Sequence, residues 1–238
     1  MTNQPTKGRK TEYIDSHCHI LPGVDHGAKD EQTAYSMAQA LCERGFTKCF
    51  ATPHFYFYEE SADSFLARRD KAYSSMVFPE ALTVLPGAEV AYEVGLSQRC
   101  DLSKLVIKGT DRVLIELPMK RFTPKTVEEF FDIRSRHDVK IIVAHAERYL
   151  PYMTFSDYME LAGVDDIIFQ INLYSISRFY NKIFLKRLIN SGASVIFGTD
   201  IHAVDERLTR SDKGLAYLSK ALNPFYFDKM MTCEDILL

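Results

Sequence analysis

Residues 140–148 read Lys-Ile-Ile-Val-Ala-His-Ala-Glu-Arg, a short apolar run followed at once by a histidine and two charged side chains. A strand made only of apolar residues is buried on both faces, which is typical of a parallel sheet covered by helices. Residues 194–200 repeat the pattern, with Val195-Ile196-Phe197 ahead of Asp200. Both runs therefore predict buried parallel strands whose carboxyl ends carry chemically active side chains.

Apolar runs of this kind recur along the chain and predict seven strands: Tyr13–Ser16, Lys48–Thr52, Leu82–Leu85, Arg112–Glu116, Lys140–Ala144, Asp166–Ile171 and Ser194–Gly198. Helical spacing between them predicts helices over Glu31–Arg44, Thr126–His137, Phe184–Asn190 and Leu208–Leu222. No Pro, Gly or Ser linker divides the chain, so we expect one α/β domain. The chain lacks a glycine-rich phosphate fingerprint, which favours a seven-stranded (β/α) barrel over an open dinucleotide-binding sheet. Residues 1–11 are predicted to form a disordered tail, and residues 12–238 the barrel.

The charge balance excludes several classes of function. Lys and Arg total 29 and Asp and Glu total 32, so the formal net charge is −3. Proteins that bind nucleic acid or anionic lipid by electrostatic attraction need clustered, uncompensated basic residues. No apolar stretch is long enough to cross a bilayer, so we expect a cytoplasmic protein without membrane insertion. The five cysteines form no CxxC motif and are expected to be reduced thiols.

The residues at the strand ends carry the functional signal. His17 and His19 follow the first strand, and in an extended segment residues i and i+2 project to the same side. An isolated HxH pair is a weak signal, but six of the seven histidines lie at or just beyond strand ends. In a parallel barrel these ends open on one face, where catalytic residues gather. Nine side chains are predicted to converge there: His17, His19, His26, His54, Glu89, Glu116, His145, Asp200 and His202.

Such a cluster predicts a metal site. Carboxylates packed together in a cleft are costly unless cations intervene. Nine donors exceed what one tetrahedral ion uses and indicate two or three divalent ions. Nitrogen and oxygen donors without thiolate suit Mn²⁺, Fe or Zn²⁺ better than Ca²⁺ or a copper electron carrier. Cys18, between His17 and His19, is expected to point away from them as a small core residue.

The motifs resemble those of the PHP (polymerase and histidinol phosphatase) superfamily. The matching strings are Ile-Asp-Ser-His17-Cys-His19 with Asp25-His26-Gly27, Ala-Thr-Pro-His54, Leu-Pro-Gly-Ala-Glu89, Leu-Ile-Glu116, Ala-His145-Ala-Glu-Arg148 and Thr-Asp200-Ile-His202. The closest resemblance is to the metal-dependent protein-tyrosine phosphatases encoded with bacterial capsular and exopolysaccharide genes. It runs from about residue 12 to residue 207 and implies a distorted seven-stranded (β/α) barrel of the PHP type with a trinuclear site, often manganese.

The resemblance also implies a role for each site residue. One ion would be held by His17, His19 and Asp200, and Glu89 would bridge to a second ion that also takes Glu116 and His145. The third ion would be held by His26, His54 and His202. The tyrosine phosphatases usually have Asp where this chain has His26, whereas other superfamily members use His. Arg148 and Arg207 match arginines that bind the phosphate, and either a metal-ligated water or Asp25 would protonate the leaving group.

The implied partner is a phosphotyrosine-bearing protein, the tyrosine-rich tail of a membrane-associated bacterial tyrosine kinase that governs polysaccharide export. Small-molecule phosphatase activity, such as histidinol-phosphate hydrolysis, is the alternative on the same scaffold. A nuclease is disfavoured because the chain lacks a basic track, and an amidohydrolase because Lys48 and Lys140 begin strands instead of ending them. A non-catalytic metal-binding scaffold is disfavoured by the intact ligand set. Homo-oligomerisation stays open, as does a role for the aromatic run 55–58 and for Arg178 at the mouth of the site.

Overall fold

The structure is a computed structural model that describes residues 12–237. The predicted tail, residues 1–11, lies outside the described residues. The described part contains nine strands: β1 (Tyr13–Cys18), β2 (Phe46–Ala51), β3 (His54–Phe55), β4 (Thr83–Pro86), β5 (Glu89–Ala91), β6 (Arg112–Glu116), β7 (Lys140–Val143), β8 (Ile168–Asn172) and β9 (Ser194–Gly198).

Nine α-helices lie between and after the strands in this part of the chain. They are α1 (Glu31–Glu43), α2 (Ala62–Ser75), α3 (Leu96–Arg99), α4 (Pro124–His137), α5 (Phe155–Ala162), α6 (Phe179–Asn190), α7 (Glu206–Ala221), α8 (Pro224–Met231) and α9 (Glu234–Leu237). Short 3-10 segments cover Leu102–Leu105, Ala146–Tyr149 and Leu173–Ser177. Each of the seven predicted strands and four predicted helices coincides with an observed element, with ends shifted by a few residues. Among the described residues, no helix has the length and apolar character needed to cross a membrane.

Local sequence explains where the helices begin and end. The carboxylate of Asp30 accepts a hydrogen bond from the backbone N–H of Thr33 at 2.8 Å, which caps the start of α1. Gly45, just after this helix, has a φ of 86°, a left-handed conformation that glycine adopts without steric cost. At α5, Thr154 and Asp157 form a reciprocal capping box. These caps fix the chain direction between consecutive strands.

The strands form two sheets, and every pairing in them is parallel. One sheet has three strands in the order β1-β2-β4, and the other has six in the order β3-β5-β6-β7-β8-β9. Parallel pairing requires crossover connections, which the helices supply. The prediction of a single parallel α/β domain is therefore confirmed.

The predicted closed barrel of seven strands is not confirmed, because the two sheets do not join into one continuous ladder. Strand pairing breaks just beyond two of the predicted strands, at Thr52-Pro53 between β2 and β3 and at Gly87-Ala88 between β4 and β5. Proline has no N–H to donate to a ladder, so pairing breaks at Pro53. Between β1 and the chain beyond β9, one isolated bridge joins Cys18 to Ile201 among the described residues.

An apolar plug supports the site from below. It takes one residue from each of six strands: Ile14, Phe50, Leu114, Ile142, Ile168 and Ile196, all at most 1% exposed. The alternate residues of these strands pack against the helices in a separate, larger core cluster, as the period of two in a strand requires. Glu116 and Gln170 lie two residues beyond Leu114 and Ile168, so their side chains share the face of the plug and lie above it.

Candidate metal centre

The predicted metal ligands lie at the first or last residues of strands or in the loops that follow them. His17 and Glu116 are in the last residues of β1 and β6, His54 and Glu89 begin β3 and β5, and the others lie in the loops that follow β1, β7 and β9. Cys18 is fully buried, with its Sγ directed to the carbonyl oxygen of Phe50 at 3.5 Å. The loop side chains can therefore converge above the plug without steric conflict from Cys18.

Two of these positions have a left-handed backbone that is uncommon for residues other than glycine. The φ angle is 30° at His145 and 51° at Asp200. Such conformations cost on the order of 1–3 kcal/mol each and persist only where surrounding contacts impose them. The N–H of His145 donates to Oε1 of Gln170 at 2.6 Å, and that of Asp200 donates to the carbonyl of His17 at 2.7 Å. These bonds hold both side chains towards the cluster.

Glu89 is the centre of the cluster, and its carboxylate is surrounded by imidazoles. Its Oε1 lies 2.9 Å from Nε2 of His145, while its Oε2 lies 3.0 Å from Nδ1 of His54 and 3.2 Å from Nε2 of His17. Nε2 of His19 is 3.4 Å from Oε2. Burial alone would raise the pKa of Glu89, but the charge of His17 and hydrogen bonds from His145, His17 and His19 hold the pKa well below its usual range.

Two further carboxylates flank this centre on opposite sides. Oδ1 of Asp200 lies 3.4 Å from Nε2 of His19, and Oε1 of Glu116 lies 3.3 Å from Nε2 of His145. Burial would lower the pKa of His145, yet hydrogen bonds to Glu116 and Glu89 raise the pKa to about 10. The carboxylates thus attract positive charge into the space between them.

Imidazole rings fill the remaining side of the cluster. The ring centroid of His202 lies 3.9 Å from that of His19 and 4.4 Å from that of His26, and His26 stacks on His54 at 4.7 Å. In each of three groups the donor atoms lie within 4.8 Å of one another; the groups are His19, His54 and His202; His17, His19 and Glu89; and His54, Glu89 and Glu116. The predicted ligands His26, His145 and Asp200 belong to none of these groups.

The donor set fits divalent metal ions. Nε2 of His202 is buried and has no hydrogen-bond partner among the described residues, and Nδ1 of His54 meets Oε2 of Glu89 at 3.0 Å without the geometry of a hydrogen bond. Such an arrangement of buried polar atoms is costly unless a cation binds them. Burial and the charge of His19 lower the pKa of His202 to about 3, so this imidazole is in the neutral form that ligates metals. Its Nδ1 lies 3.0 Å from the carbonyl of Asp200, which leaves Nε2 for an ion.

Several residues that orient the cluster were not predicted from the sequence. Oε1 of Gln170 lies 3.2 Å from Nδ1 of His17, and Nδ2 of Asn172 donates to Oδ2 of Asp200 at 3.0 Å. Both lie near the end of β8, which ends in amides instead of a histidine or a carboxylate. The hydroxyl of Tyr149 lies 3.1 Å from Nδ1 of His145.

Asp25 holds His19 in place. Its Oδ2 lies 2.6 Å from Nδ1 of His19 and accepts a hydrogen bond from the N–H of His54 at 2.9 Å, while Oδ1 accepts from the N–H of Gly27. Burial would raise the pKa of Asp25, but the hydrogen bond to His19 and the charge of His19 lower it. Together with the N–H groups of Gly27 and His54, they hold the pKa of Asp25 below its usual range. An ionised carboxylate is a hydrogen-bond acceptor, so the geometry favours an orienting role over proton donation.

The two predicted arginines lie on the same side of the cluster. Nη1 of Arg148 is 3.9 Å, and Nη1 of Arg207 is 3.8 Å, from Oδ2 of Asp200. Arg207 also donates to the carbonyl of Asp200 at 2.9 Å. Both side chains are about two-fifths exposed, so each retains donors for an incoming anion.

The aromatic run that follows His54 divides between the core and the site. Phe55 is fully buried, and Tyr58 is 60% exposed. The ring of Tyr56 stacks beside that of His54, with centroids 5.7 Å apart and planes inclined by 22°. Burial and the charges of Glu116 and Glu89 raise the pKa of Tyr56 to about 12. Phe55 therefore covers the core, and Tyr56 borders the site.

A family model described as "Capsular polysaccharide synthesis, CpsB/CapC" matches residues 13–236, a span that holds all nine strands and the whole cluster. The chain belongs to the CpsB/CapC family. This confirms the resemblance predicted from the strand-end motifs.

Two further comparisons found a similar protein sequence and a similar solved structure. The tyrosine-protein phosphatase YwqE of Bacillus subtilis (strain 168) is 27% identical over 216 residues, which cover 87% of this chain and 84% of that protein. A solved structure from a study of YwqE from Bacillus subtilis and CpsB from Streptococcus pneumoniae, described as unique metal-dependent tyrosine phosphatases, is 26% identical. It superposes with a TM-score of 0.71 over 93% of this chain and 92% of that chain. The CpsB/CapC fold is thus shared over nearly the full length.

Proposed function

We propose that this chain is a metal-dependent protein-tyrosine phosphatase that hydrolyses phosphotyrosine in a protein substrate. The observation that carries the proposal is the buried carboxylate of Glu89 with four imidazole nitrogens within 3.4 Å, together with two arginines beside Asp200. Membership of the CpsB/CapC family supports it, as does the similarity to YwqE, which is named as a tyrosine-protein phosphatase. The activity is assigned to residues 12–238.

The cofactor proposed is two or three divalent ions, with Mn²⁺ preferred and Fe or Zn²⁺ as alternatives. His17, His19, Asp200 and Glu89 would hold one ion, and Glu89, Glu116 and His145 a second. A third would be held by His54 and His202 with His26. When bound, such ions supply Lewis acidity, which neutralises phosphoryl charge and lowers the pKa of bound water to about 7.

The chain's own residues bind and orient the substrate. Arg148 and Arg207 present forked, planar donors that match the oxygens of a phosphate group better than a lysine does. Tyr56 offers an aromatic face to the phenol ring, and Asp25 keeps the Nε2 of His19 directed at the cluster. The tyrosine phenolate has a reference pKa of about 10, so its departure needs little help from a protein acid.

The physiological substrate proposed is the autophosphorylated, tyrosine-rich tail of a membrane-associated bacterial kinase that controls capsular or exopolysaccharide synthesis, with the phosphatase acting in the cytoplasm. The family description, which names capsular polysaccharide synthesis, supports this assignment. The near-neutral charge of the chain supports a protein substrate over a nucleic acid.

The experiment is metal removal and restoration on the purified full chain. Chelation should abolish hydrolysis of a phosphotyrosyl peptide, and Mn²⁺, Fe²⁺ or Zn²⁺ added singly should restore it, with Mn²⁺ the most effective. Phosphoseryl peptide and histidinol phosphate serve as comparison substrates. Full activity in chelator would refute the metal mechanism, and faster turnover of histidinol phosphate would establish the small-molecule alternative.

A further inference from the structure

A large cleft opens beside the metal centre, between the 3-10 segment Ala146–Tyr149 and helix α6. Its volume is about 930 Å³, near the upper end of the roughly 300–1,000 Å³ usual for ligand sites. Arg148 and Tyr174 line it. Tyr174 is linked to the metal centre, because Asn172 donates both to its hydroxyl oxygen at 3.2 Å and to Asp200 at 3.0 Å. The cleft therefore continues the phosphate side of the site.

Basic side chains dominate the charge of this cleft. Arg148, Arg178 and Arg187 line it, and Glu147 is the only acidic residue in the lining among residues 12–237. Arg178 and Arg187 are exposed, and neither forms an ion pair with a described acidic side chain. The guanidinium carbon of Arg187 lies 3.9 Å from the ring centroid of Phe155, which holds it over the cleft wall. Negative groups are thus attracted to the cleft from outside.

The rest of the lining is largely aromatic and aliphatic, with a few polar groups. Tyr180, which is 77% exposed, and Phe155 offer apolar surface. Glu147 is 5% exposed; its Oε2 accepts from the N–H of Asn172 at 3.2 Å, while Oε1 has no hydrogen-bond partner among the described residues. Glu147 is therefore held inside the wall, and the exposed charges of the cleft are those of Arg148, Arg178 and Arg187.

We propose that this cleft binds the polypeptide beside the phosphotyrosine and selects acidic residues there. The inference rests on the proposed function and adds the class of substrate sequence. A free phosphotyrosine would engage the metal centre and Arg148, whereas a protein segment also reaches Arg178, Arg187 and Tyr180. Three features favour an acidic polypeptide segment as the ligand: the positive charge of the lining, the size of the cleft and its continuity with the phosphate side of the metal centre.

The test compares substrates that share the phosphotyrosine and differ beside it. The manganese-loaded full chain is assayed with p-nitrophenyl phosphate and with phosphotyrosyl peptides whose flanking residues are acidic, neutral or basic. The variant is Arg178→Glu, with Arg136→Glu as the control, because Arg136 is an exposed arginine on α4. Tyr180→Ala is a second variant with an exposed side chain. Binding of a fluorescent acidic phosphopeptide to chelated protein is measured in parallel.

The wild-type chain should prefer the acidic peptide through a lower KM. Arg178→Glu should reduce kcat/KM for that peptide by about fivefold, as expected for one exposed ion pair, and leave p-nitrophenyl phosphate turnover unchanged. Tyr180→Ala should raise KM for all three peptides. Equal kcat/KM for all peptides in the wild type, or the same loss in Arg136→Glu, would overturn the inference, as would a changed oligomeric state that accounts for the loss. If phosphopeptide binds but no phosphotyrosine is hydrolysed, the proposed function fails and the cleft assignment stands.

Discussion

The hydroxyl oxygen of Tyr149 lies 3.1 Å from Nδ1 of His145, on the side of the imidazole opposite to Glu89, whose Oε1 is 2.9 Å from Nε2. The same hydroxyl accepts a hydrogen bond from the N–H of Leu117 at 2.8 Å. Tyr149 therefore ties the ring of His145 to the end of β6. Such a contact fixes the orientation and tautomer of a ligating histidine.

Tyr149→Phe should weaken metal binding or activity by about 10–100-fold, the usual effect of losing a partner behind a ligating histidine. It also leaves the buried N–H of Leu117 without an acceptor, at about 1–3 kcal/mol of stability. Tyr158→Phe is the matched control, because that hydroxyl donates to the carbonyl of Ala146 at 2.8 Å. Metal content and thermal unfolding are measured for both. Equal metal content in the two variants at saturating and limiting Mn²⁺ would contradict an orienting role.

Arg207→Lys should raise KM for phosphotyrosyl substrate by about tenfold, because one ammonium replaces a forked guanidinium that binds two oxygens at once. Metal content should stay unchanged, since Arg207 ligates no ion. Its Nη1 contacts the carbonyl of Asp200 at 2.9 Å and Nδ1 of His202 at 3.0 Å, and Nδ1 is not the ring nitrogen assigned to the metal. Arg210→Lys, on the same helix and paired with Glu206, is the control. A loss of bound metal in Arg207→Lys would instead show that the guanidinium supports the geometry of the ligands.

Much of this arrangement could be predicted from the sequence. Apolar runs such as Val195-Ile196-Phe197 identify parallel strands, because only strands covered on both faces lack polar alternation. The residue after each run then has one possible location, the carboxyl edge. The structure brings His17, Glu89 and His145 together at that edge for this reason, although their sequence positions are widely separated.

Other features depended on contacts that sequence patterns do not encode. The break at Pro53 separates β2 from β3, so the sheets do not close. Gln170 and His17 are 153 residues apart and meet only once the strands are assembled. The contact of Tyr149 with His145 is local but depends on the left-handed backbone at His145. Likewise, the orienting role of Asp25 depends on the turn that places Oδ2 at 2.6 Å from His19.

Tyr56→Ala should reduce kcat/KM for a phosphotyrosyl substrate by about 3–10-fold, the effect of losing an aromatic contact worth about 0.5–1.5 kcal/mol. An alkyl phosphate should be affected less, because it has no ring to stack. Tyr58→Ala is the control, since that side chain is 60% exposed. Burial raises the pKa of Tyr56 to about 12, so its phenol is neutral throughout an assay range that extends to about pH 9. Tyr56→Phe should therefore leave the pH profile unchanged. An equal loss on alkyl and aryl phosphates would argue against stacking.

Glu89→Gln should abolish most metal binding, because the neutral amide keeps the shape of the side chain and removes the charge that four imidazoles surround. We expect at least a 100-fold fall in turnover together with reduced metal content, in line with the cost of disrupting a ligand set. Glu147→Gln is the control, as this glutamate is 5% exposed and lies outside the three donor groups. Normal metal content with lost turnover in Glu89→Gln would point to a proton-transfer role for the carboxylate.

Gly214→Ala tests the packing that supports the cleft. A Cβ at Gly214 would lie 2.1 Å from the carbonyl oxygen of Leu173, so helix α7 or the segment Leu173–Ser177 must move. Helix propensity alone would stabilise the alanine variant by about 1 kcal/mol, whereas overpacking costs about 1–3 kcal/mol; because the clash is with backbone, we expect net destabilisation. Lys213→Ala, an exposed change on the same helix, is the control for propensity. Thermal unfolding should show a lower Tm for Gly214→Ala, by about 2–4 °C for each kcal/mol of lost stability. The KM for phosphopeptide should also rise, because the displaced segment Leu173–Ser177 carries Tyr174. An unchanged Tm would mean that α7 does not pack this closely against that segment.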